Sequence, residues 1–566
     1  MVTMYIRTVK AKGKEYVQLA HNYREPEDGK VRAKVLYSFG RKDRLDLDEL
    51  RRLIRSISRF LDPEEVAEIQ EQIGEDWPFE FLGSRELGGA AFLDGMWKRL
   101  GIDGAIKALL KERAFQTPVE RLLFAMAANR ALAPSSKLHM EHWVAEKAYI
   151  EGLPEVQVQQ LYRAMDFLLE AHDEIQHDVF FSVANLFNLE VDLLFLDTTS
   201  TYFEIEEEDA DVENGGELLE EGLRKRGAES KDRRPDLSQI VVAFAVTRDG
   251  IPVRCWAWPG NMVDQNVVEE VKRDLNSWRL GRVVLVEDTG FNSEKNRRIL
   301  QGAGGHYIIG EKMRLGRTAK PAEALTRGGR YQTLDNGLKF KEIVVGGDSE
   351  ARRRFIVVFN PVEAERDREK RDDIVAEATR RLDSLKQLEG EPHEKAACAL
   401  RSHSVFGRYI HQTKTGRLRL DREKIKAEER LDGKFLVSTS DDGLSARDVV
   451  LGYKQLAVIE RVFRDLKHVV DIRPIRHRLP ERIRAHVLLC WLAMLLIRVA
   501  ENESGRTWFQ IKKDLDKLQV GIHRTRAGEV WQSNNPSDRL KELFEALKLK
   551  LPPRILSLPT PRAERA

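Results

Sequence analysis

The sequence is poor in cysteine, and none of its cysteines lies near another. Cys255, Cys398 and Cys490 are the only three among 566 residues. This spacing excludes a disulfide framework and gives no zinc-site pattern, and it is typical of a protein in a reducing compartment. We therefore expect a cytoplasmic protein.

Long apolar runs are also missing. The most apolar stretch, 485–500, has Arg484 before it and Arg498 near its end. At about 16 residues it is too short to span a bilayer, and we predict a buried core helix there. The first seven residues contain no apolar segment of the kind that signal peptides carry. Neither a membrane nor a small-molecule substrate is expected as a partner.

Net charge is nearly absent, at +2, although 33% of the residues are charged. The charges are segregated, with basic clusters at 224–226, 352–354 and 473–484 and an acidic stretch at 204–221. Such patches are compatible with nucleic-acid binding, but each one alone also fits a solvated surface. A chain of this length is expected to form several domains.

The organisation changes three times along the chain. Residues 3–40 alternate apolar and polar positions between glycine turns, which predicts a β-meander, and a helix is predicted over Leu47–Leu61. Residues 85–190 have helical periodicity and either brace the fold or bind DNA ends. The predicted domains are 1–60, 61–190, 191–310 with 442–500, 311–441, and 501–566.

From residue 191 onward the pattern becomes mixed. It predicts a strand, a hairpin of two strands, a helix, a strand, a helix, a strand, a mostly β segment at 311–441 with one long charged helix, and a final helix. Without the inserted segment this is the ribonuclease H-like order. The predicted fold class is α/β multi-domain: a ribonuclease H-like mixed sheet with flanking helices, interrupted by a β-rich insertion. A β-meander and a helical domain precede it.

Two aspartates follow apolar runs that are typical of strands buried on both faces. Asp197 comes after Leu193–Leu196, and Asp288 comes after Val283–Glu287. Open sheets place ligand-binding residues at the carboxyl ends of their strands. The alternative is that each aspartate only caps the following turn.

A third carboxylate, Glu460, lies on a helix predicted over 445–468. At about 100° per residue, Tyr453, Glu460, Arg464 and Lys467 fall on one stripe beside the apolar face. A solvated Glu–Arg pair four residues apart is the competing interpretation. Three converging carboxylates would suffice for two Mg²⁺ ions, which prefer hard oxygen ligands and assist phosphodiester chemistry.

These motifs resemble those of the DDE transposases of bacterial insertion sequences, in the branch with a β-rich insertion before the last acidic residue. The similar segments are Leu194–Ser200, Val286–Phe291, Ser230–Leu237, Pro259–Asn261, Tyr453–Lys467 and Ile472–His486. In the branch signature Tyr-x2-Arg-x3-Glu-x6-Lys, Tyr453, Glu460 and Lys467 fit the spacing. The arginine position holds Leu456, for which Arg464 is the candidate replacement.

The resemblance implies that Asp197, Asp288 and Glu460 are catalytic and bind two Mg²⁺ ions, for which Mn²⁺ substitutes. It implies that Tyr453 and Lys467 contact DNA phosphate, and we expect Arg464 and Arg461 to join them. The implied partners are double-stranded DNA, as terminal inverted repeats and target, and a second copy of the chain on that DNA. The protein would then be cytoplasmic and associated with the bacterial nucleoid.

Other functions remain open on the sequence alone. A ribonuclease H-like nuclease would use the same residues without joining DNA, and an inactive transposase relative would only bind it. Some relatives cut the second strand through a DNA hairpin, with an inserted tryptophan that stabilises a flipped base. Trp256 and Trp258 lie before Asp288, where packing in the core is the competing role.

Overall fold

The computed structural model describes residues 4–11, 13–25, 30–46, 80–111, 113, 117–187, 192–205, 207–214, 217–227, 230–278, 280, 282–314, 319–346, 352–525 and 528–558. The chain forms two compact units. The first consists of Met1–Leu82, His523–Val530 and Leu558–Ala566, and the second of Gly83–Ile522 and Trp531–Ser557. The helix predicted over 47–61 lies outside the described residues.

The first unit contains the predicted β-meander. Strands β1 (Met4–Ala11), β2 (Lys14–Arg24) and β3 (Val31–Arg41) form an antiparallel sheet in that order. Its cations are partly neutralised within the sheet, because Lys10 and Lys42 both pair with Glu15. The meander prediction is confirmed.

The remaining elements alternate helices and strands. The further strands are β4 (Glu80–Glu86), β5 (Leu193–Tyr202), β6 (Val212–Asn214), β7 (Glu217–Glu220), β8 (Gln239–Val246), β9 (Pro252–Pro259), β10 (Val284–Glu287), β11 (His306–Glu311), β12 (Gln332–Thr333), β13 (Lys339–Val345), β14 (Arg353–Phe359), β15 (Ile410–Gln412), β16 (Leu418–Leu420), β17 (Lys434–Thr439), β18 (Gln519–Thr525), β19 (Gly528–Ser533) and β20 (Ile555–Ser557). The α-helices are Gly88–Arg99, Ile102–Leu110, Val119–Leu132, Lys137–His142, Val158–Glu170, His172–Phe187, Asp264–Ser277, Glu294–Gln301, Lys320–Thr326, Pro361–Leu385, Gly390–Ser402, Arg422–Glu429, Ala446–Lys454, Ala457–His468, Pro480–Ser504, Trp508–Leu515 and Asp538–Ala546.

A nine-stranded sheet organises the second unit, in the order β12-β13-β14-β17-β11-β10-β5-β8-β9. Strands β5, β10 and β11 are parallel, and the other pairs are antiparallel. Successive side chains of a strand point to opposite faces. Leu193 and Phe195 therefore enter one apolar cluster while Leu194 and Leu196 enter another. Both faces of β5 are buried, as the apolar run predicts.

The inserted segment is not a separate β-rich body. Its strands β12, β13, β14 and β17 extend the central sheet, because β17 returns antiparallel to β11 and pairs with the edge that β11 would expose. The segment also contains the helices Lys320–Thr326, Pro361–Leu385, Gly390–Ser402 and Arg422–Glu429. The prediction of a mostly β segment with one long helix is therefore wrong.

Helix Pro480–Ser504 forms the core of the helical layer. It packs against Val119–Leu132, Val158–Glu170 and β9. It is long and apolar enough to cross a membrane by length and composition alone, with a mean hydropathy of 1.8, but 94% of that window is buried inside the protein. The prediction of a core helix is confirmed. The helices of 85–190 belong to the same compact unit, so they do not form the separate domain predicted for them.

The helix predicted over 445–468 is two helices. Ala446–Lys454 ends at Gln455, and Ala457–His468 begins after Leu456. Tyr453 and Glu460 therefore do not share one helical stripe, and that prediction is wrong. Gln455 and Leu456 both have helical backbone angles, but the N–H groups of Leu456 and Val458 donate to carbonyls three residues back instead of four.

The continuity of the sheet can be tested through tryptophan fluorescence. No tryptophan lies within 311–441, so fluorescence reports on the rest of the chain. Val437 is 0% exposed on β17, between β11 and β14. We expect Val437→Ala to lower the free energy of unfolding followed by fluorescence by about 2 kcal/mol, since it removes two buried methyl groups.

The matched control is Val362→Ala, at a position that is 61% exposed. It should change the same transition by less than about 0.5 kcal/mol. If Val437→Ala leaves the fluorescence transition in place, the inserted segment unfolds independently and the sheet is not one cooperative unit.

Candidate active site

Asp197 and Asp288 stand side by side where β10 ends. The parallel register pairs Leu196 with Glu287, so the two aspartates follow at adjacent positions on neighbouring strands. Strand β5 itself continues to Tyr202, paired with β8. The prediction that its strand stops at Asp197 is wrong, because β10 is the strand that ends there. Beyond this point one edge of β5 has lost its neighbour, and a cleft opens.

Asp197 is largely buried beside two other carboxylates and one lysine. Its Oδ1 accepts a hydrogen bond from the Thr198 N–H at 2.7 Å and lies 3.4 Å from Lys231 Nζ. Burial, together with the charges of Asp264 and Asp288, raises its pKa from 3.8 to about 6, although Lys231 opposes the rise. Asp197 therefore has a carboxylate that a further cation would stabilise.

Asp288 is exposed, whereas its neighbour Glu287 is fully buried. Asp288 Oδ1 accepts from the Thr289 N–H at 2.6 Å, so this residue does cap the following turn, Thr289–Phe291. The Tyr453 hydroxyl lies 3.4 Å from the same oxygen. Strand alternation turns the Glu287 carboxyl away from Asp288 into the interior, where burial raises its pKa to about 8. Capping this turn does not prevent Asp288 from also acting as a ligand-binding residue.

Tyr453 reaches Asp288 because residue 310 has no side chain. A Cβ at Gly310 would lie 2.3 Å from the Tyr453 hydroxyl and 2.8 Å from Thr289 Cγ2. The ring of Tyr453 stacks on Phe435, with centroids 5.8 Å apart. Burial raises the pKa of Tyr453 well above its usual value, and the charges of Asp288, Glu311 and Glu460 raise it further. The hydroxyl is therefore protonated and available as a donor.

Glu460 lies in the first turn of Ala457–His468 and is exposed. Its charge acts on Tyr453, so it lies on the same side of the site as that hydroxyl. Within the described part of the chain, no three His, Cys, Asp or Glu side chains form a group that could hold a metal ion. The structure thus brings Asp197 and Asp288 together, while the convergence of all three carboxylates stays a prediction.

Two residues with no role predicted from the sequence belong to the site. Lys231 Nζ donates to the carbonyl and hydroxyl oxygens of Thr198, each at 2.6 Å, and lies 3.4 Å from Asp264 Oδ2. Asp264, at the start of Asp264–Ser277, also accepts from the Thr198 hydroxyl. The sequence did offer a signal for both residues. Lys231 lies within the similar segment Ser230–Leu237, and Asp264 follows the similar segment Pro259–Asn261.

Lys467 is engaged within the protein. Its Nζ lies 2.7 Å from Asp232 Oδ1, and Arg473 lies 2.7 Å from the other oxygen of the same carboxylate. Asp232 is only 6% exposed, so this three-residue ion pair is largely shielded from water. Of the other cations predicted to contact DNA, Arg461 and Arg464 are exposed on Ala457–His468.

Two clefts are lined by segments that follow the aspartates: one includes Thr198 and Gly290, and the other includes Asn292. One, of about 420 Å³, is lined by Thr198, Lys231, Asp264 and Gly290 among others. The second, of about 800 Å³, is lined by Glu294, Glu311 and six cations: Arg297, Arg298, Lys312, Lys320, Arg352 and Arg353. Cations thus outnumber acids around the larger cleft, a composition suited to a polyanion.

Trp256 and Trp258 are buried and stack on each other, with centroids 6.2 Å apart. Their indole N–H groups donate to Asp274 and Glu270. Packing in the core is therefore confirmed for both.

Two family models match the chain. Residues 224–496 match the Transposase DDE domain. The matched segment contains Asp264, Asp288 and Glu460, but it begins after Asp197. Residues 6–69 match the N-terminal domain of the IS1634 family transposases. Together the matches span more than half of the chain, and the chain belongs to the DDE-type insertion-sequence transposases.

No curated protein matches the sequence. Among solved structures, a cryo-EM structure of a piggyBac transposase synaptic complex with hairpin DNA is similar at 9% identity and a TM-score of 0.33. The likeness covers 76% of this chain and 80% of that one. At that TM-score it supports no conclusion about this protein.

The pKa of Asp197 makes stability depend on pH. The folded pKa of about 6 exceeds the ordinary 3.8, so the protonated carboxyl group of Asp197 stabilises the folded protein. This stabilisation is fully present below about pH 4 and is lost as the pH rises through 6. We expect Asp197→Asn to exceed the wild type in free energy of unfolding at pH 7.5 by up to about 3 kcal/mol, and to match it at pH 4.

Denaturant unfolding across this pH range, with a chelator present, measures the difference. The control Asp442→Asn removes a carboxylate that is 71% exposed and should show no such trend. A lower stability of Asp197→Asn at pH 7.5 would contradict the unfavourable burial of the ionised Asp197 carboxylate.

The contact between Gly310 and Tyr453 predicts a coupled pair of substitutions. Gly310→Ala should destabilise the protein by about 1–3 kcal/mol, because the new methyl overlaps the tyrosine hydroxyl. Tyr453→Phe removes that oxygen and should recover part of the loss in the double variant. A double-mutant cycle of unfolding free energies measures the coupling, and strict additivity would refute the contact.

Proposed function

We propose that this protein is a DNA transposase that cleaves at the ends of an insertion sequence and transfers the freed 3′-hydroxyl ends into target DNA. The observation that carries the proposal is the adjacent placement of Asp197 and Asp288 on parallel strands. The order β9-β8-β5-β10-β11, with β5, β10 and β11 parallel, supports a ribonuclease H-like catalytic core. Membership of the DDE family supports the same reaction class.

The donor set fits a divalent metal. Asp197 and Asp288 offer hard carboxylate oxygens, and burial with the neighbouring carboxylates raises the pKa of Asp197, whose ionised form Mg²⁺ or Mn²⁺ would stabilise. Lys231 Nζ already places one positive charge between Asp197 and Asp264. When bound, two divalent ions supply Lewis acids for the attacking and leaving oxygens of a phosphodiester. Glu460 completes the set if its exposed side chain turns toward Asp288.

The remaining residues orient these groups and bind the substrate. The Tyr453 hydroxyl donates to Asp288 and holds its carboxylate in one orientation. Arg461 and Arg464 are exposed and free to contact phosphates, and the cations of the larger cleft extend the same surface. Lys467 is paired with the Asp232 carboxylate, so it contacts DNA only if a phosphate replaces that carboxylate.

The wider assembly follows from the reaction. Joining two element ends requires two active sites, so we expect a homodimer on double-stranded DNA that carries terminal inverted repeats. The protein would work in the bacterial cytoplasm on nucleoid DNA. The cations of the β-meander, such as Lys14 and Lys34, would follow the phosphate backbone, which positions DNA without reading its bases.

The test uses the full chain and linear DNA with the inverted repeats that flank its gene. Asp197→Asn, Asp288→Asn and Glu460→Gln should each lower cleavage at least about a hundredfold and leave the gel shift within about threefold, because affinity rests mainly on phosphate contacts elsewhere. EDTA should abolish cleavage, and Mg²⁺ or Mn²⁺ should restore it. Ca²⁺ should permit binding without efficient cleavage.

Asp442→Asn is the matched control and should cleave normally. Cleavage without joining of the ends would identify a nuclease, and binding without cleavage by the wild type would identify an inactive relative. An Asp288→Asn variant that cleaves at the normal rate would refute the site.

A further inference from the structure

A buried cationic cavity lies outside the catalytic site. It has a volume of about 50 Å³, and its charged lining residues are Arg130, Lys137, Arg476 and Asp471. His477 and His486 complete its polar wall. The cavity is bounded by the end of Val119–Leu132, the start of Lys137–His142 and the segment that follows Ala457–His468. All of these lie in the second unit.

Two of the three cations are buried, and Asp471 is the one acidic residue in the lining. Arg130 and Lys137 are each only 4% exposed. Arg130 donates to the carbonyl oxygens of Asp471 and Ser135, and its Nε has no partner. Within the part of the chain that the structure describes, no acidic side chain forms an ion pair with Arg130, Lys137 or Arg476. Burying unpaired cations is strongly unfavourable, so the arrangement favours an anionic occupant.

Two histidines line the cavity beside these cations. His486 Nε2 donates to the Ile472 carbonyl at 3.0 Å, and its Nδ1 is buried without a partner. Burial and the neighbouring cations lower the pKa of His477 to about 3, and burial with Arg130 lowers the pKa of Lys137 to about 7. Burial is the main cause of both shifts and the neighbouring cations add to them, so a bound anion would favour the charged forms of both groups.

We propose that this cavity binds a phosphate group of the DNA backbone. A small cavity suits a compact anionic group, and arginine and lysine are the usual phosphate ligands. Arg476 lines the cavity and is exposed, so the mouth of the cavity is cationic as well.

The position of the cavity favours a DNA phosphate over a free one. Pro474 lines it, and the preceding residue, Arg473, binds Asp232 beside Lys231 of the catalytic site. One short segment therefore borders both sites, and a strand that crosses the aspartates can place another of its phosphates here. This inference rests on the DNA binding of the proposed function and not on catalysis.

Two variants test the cavity in the full chain. Lys137→Met removes the buried cation, and Arg476→Gln removes an exposed one at the mouth. Arg478→Gln is the matched control, because Arg478 is an exposed residue of the same segment that does not line the cavity. Lys137→Met should fold at least as well as the wild type without ligand, since it removes a buried unpaired charge.

The first readout is thermal unfolding with millimolar inorganic phosphate, against chloride at the same ionic strength. The second is affinity for duplex DNA as a function of salt. Phosphate should raise the Tm of the wild type and of Arg478→Gln but not of the two cavity variants. Both cavity variants should bind DNA roughly three- to tenfold more weakly, with a salt slope smaller by about 0.9.

Lost phosphate stabilisation with unchanged DNA affinity and slope would overturn the DNA assignment and leave a site for free phosphate. No change in either readout would overturn the site itself. Because both readouts measure binding, a wild-type protein that binds DNA without cleaving it would refute the proposed catalysis and leave this result standing.

Discussion

The parallel pairing of β5 with β10 is the constraint on which the candidate site depends. Both strands are buried on both faces, between the two apolar clusters of the second unit. Their observed register pairs Leu196 with Glu287, and it places Asp197 beside Asp288. The energy that holds the two carboxylates together thus comes from the hydrophobic core beneath them, because the carboxylates themselves repel each other.

Repulsion at the site is balanced by cations from distant parts of the chain. Lys231 lies between Asp197 and Asp264, and Arg353 of β14 pairs with Glu311 at the end of β11. Each of these pairs joins segments that are far apart in sequence. The inserted segment therefore contributes to the electrostatics of the site as well as to the sheet, since it supplies Arg353 from a strand of its own.

The motif around Glu460 shows how a sequence pattern and a structure can diverge. The spacing of Tyr453, Glu460 and Lys467 matches the family signature, but the helix breaks at Gln455 and Leu456. Tyr453 lies before the break, and it reaches Asp288 because Gly310 leaves room for its hydroxyl. Lys467 instead binds Asp232. Helical periodicity predicts which side chains share a face only within one continuous helix, so it does not apply across the break.

The sequence by itself determined the local elements and the identity of the acidic residues. The β-meander, the buried strands before Asp197 and Asp288, the hairpin of β8 and β9 and the core helix Pro480–Ser504 all follow from the periodicity of apolar residues, which is a local property. Only the tertiary structure decided that the inserted strands extend the central sheet, that Lys231 and Asp264 join the site, and that Lys467 is paired with Asp232. These outcomes depend on contacts between residues that are far apart in the chain. Such contacts leave no periodic signal in the sequence, because they are set by the surfaces that remain to be buried once the local elements have formed.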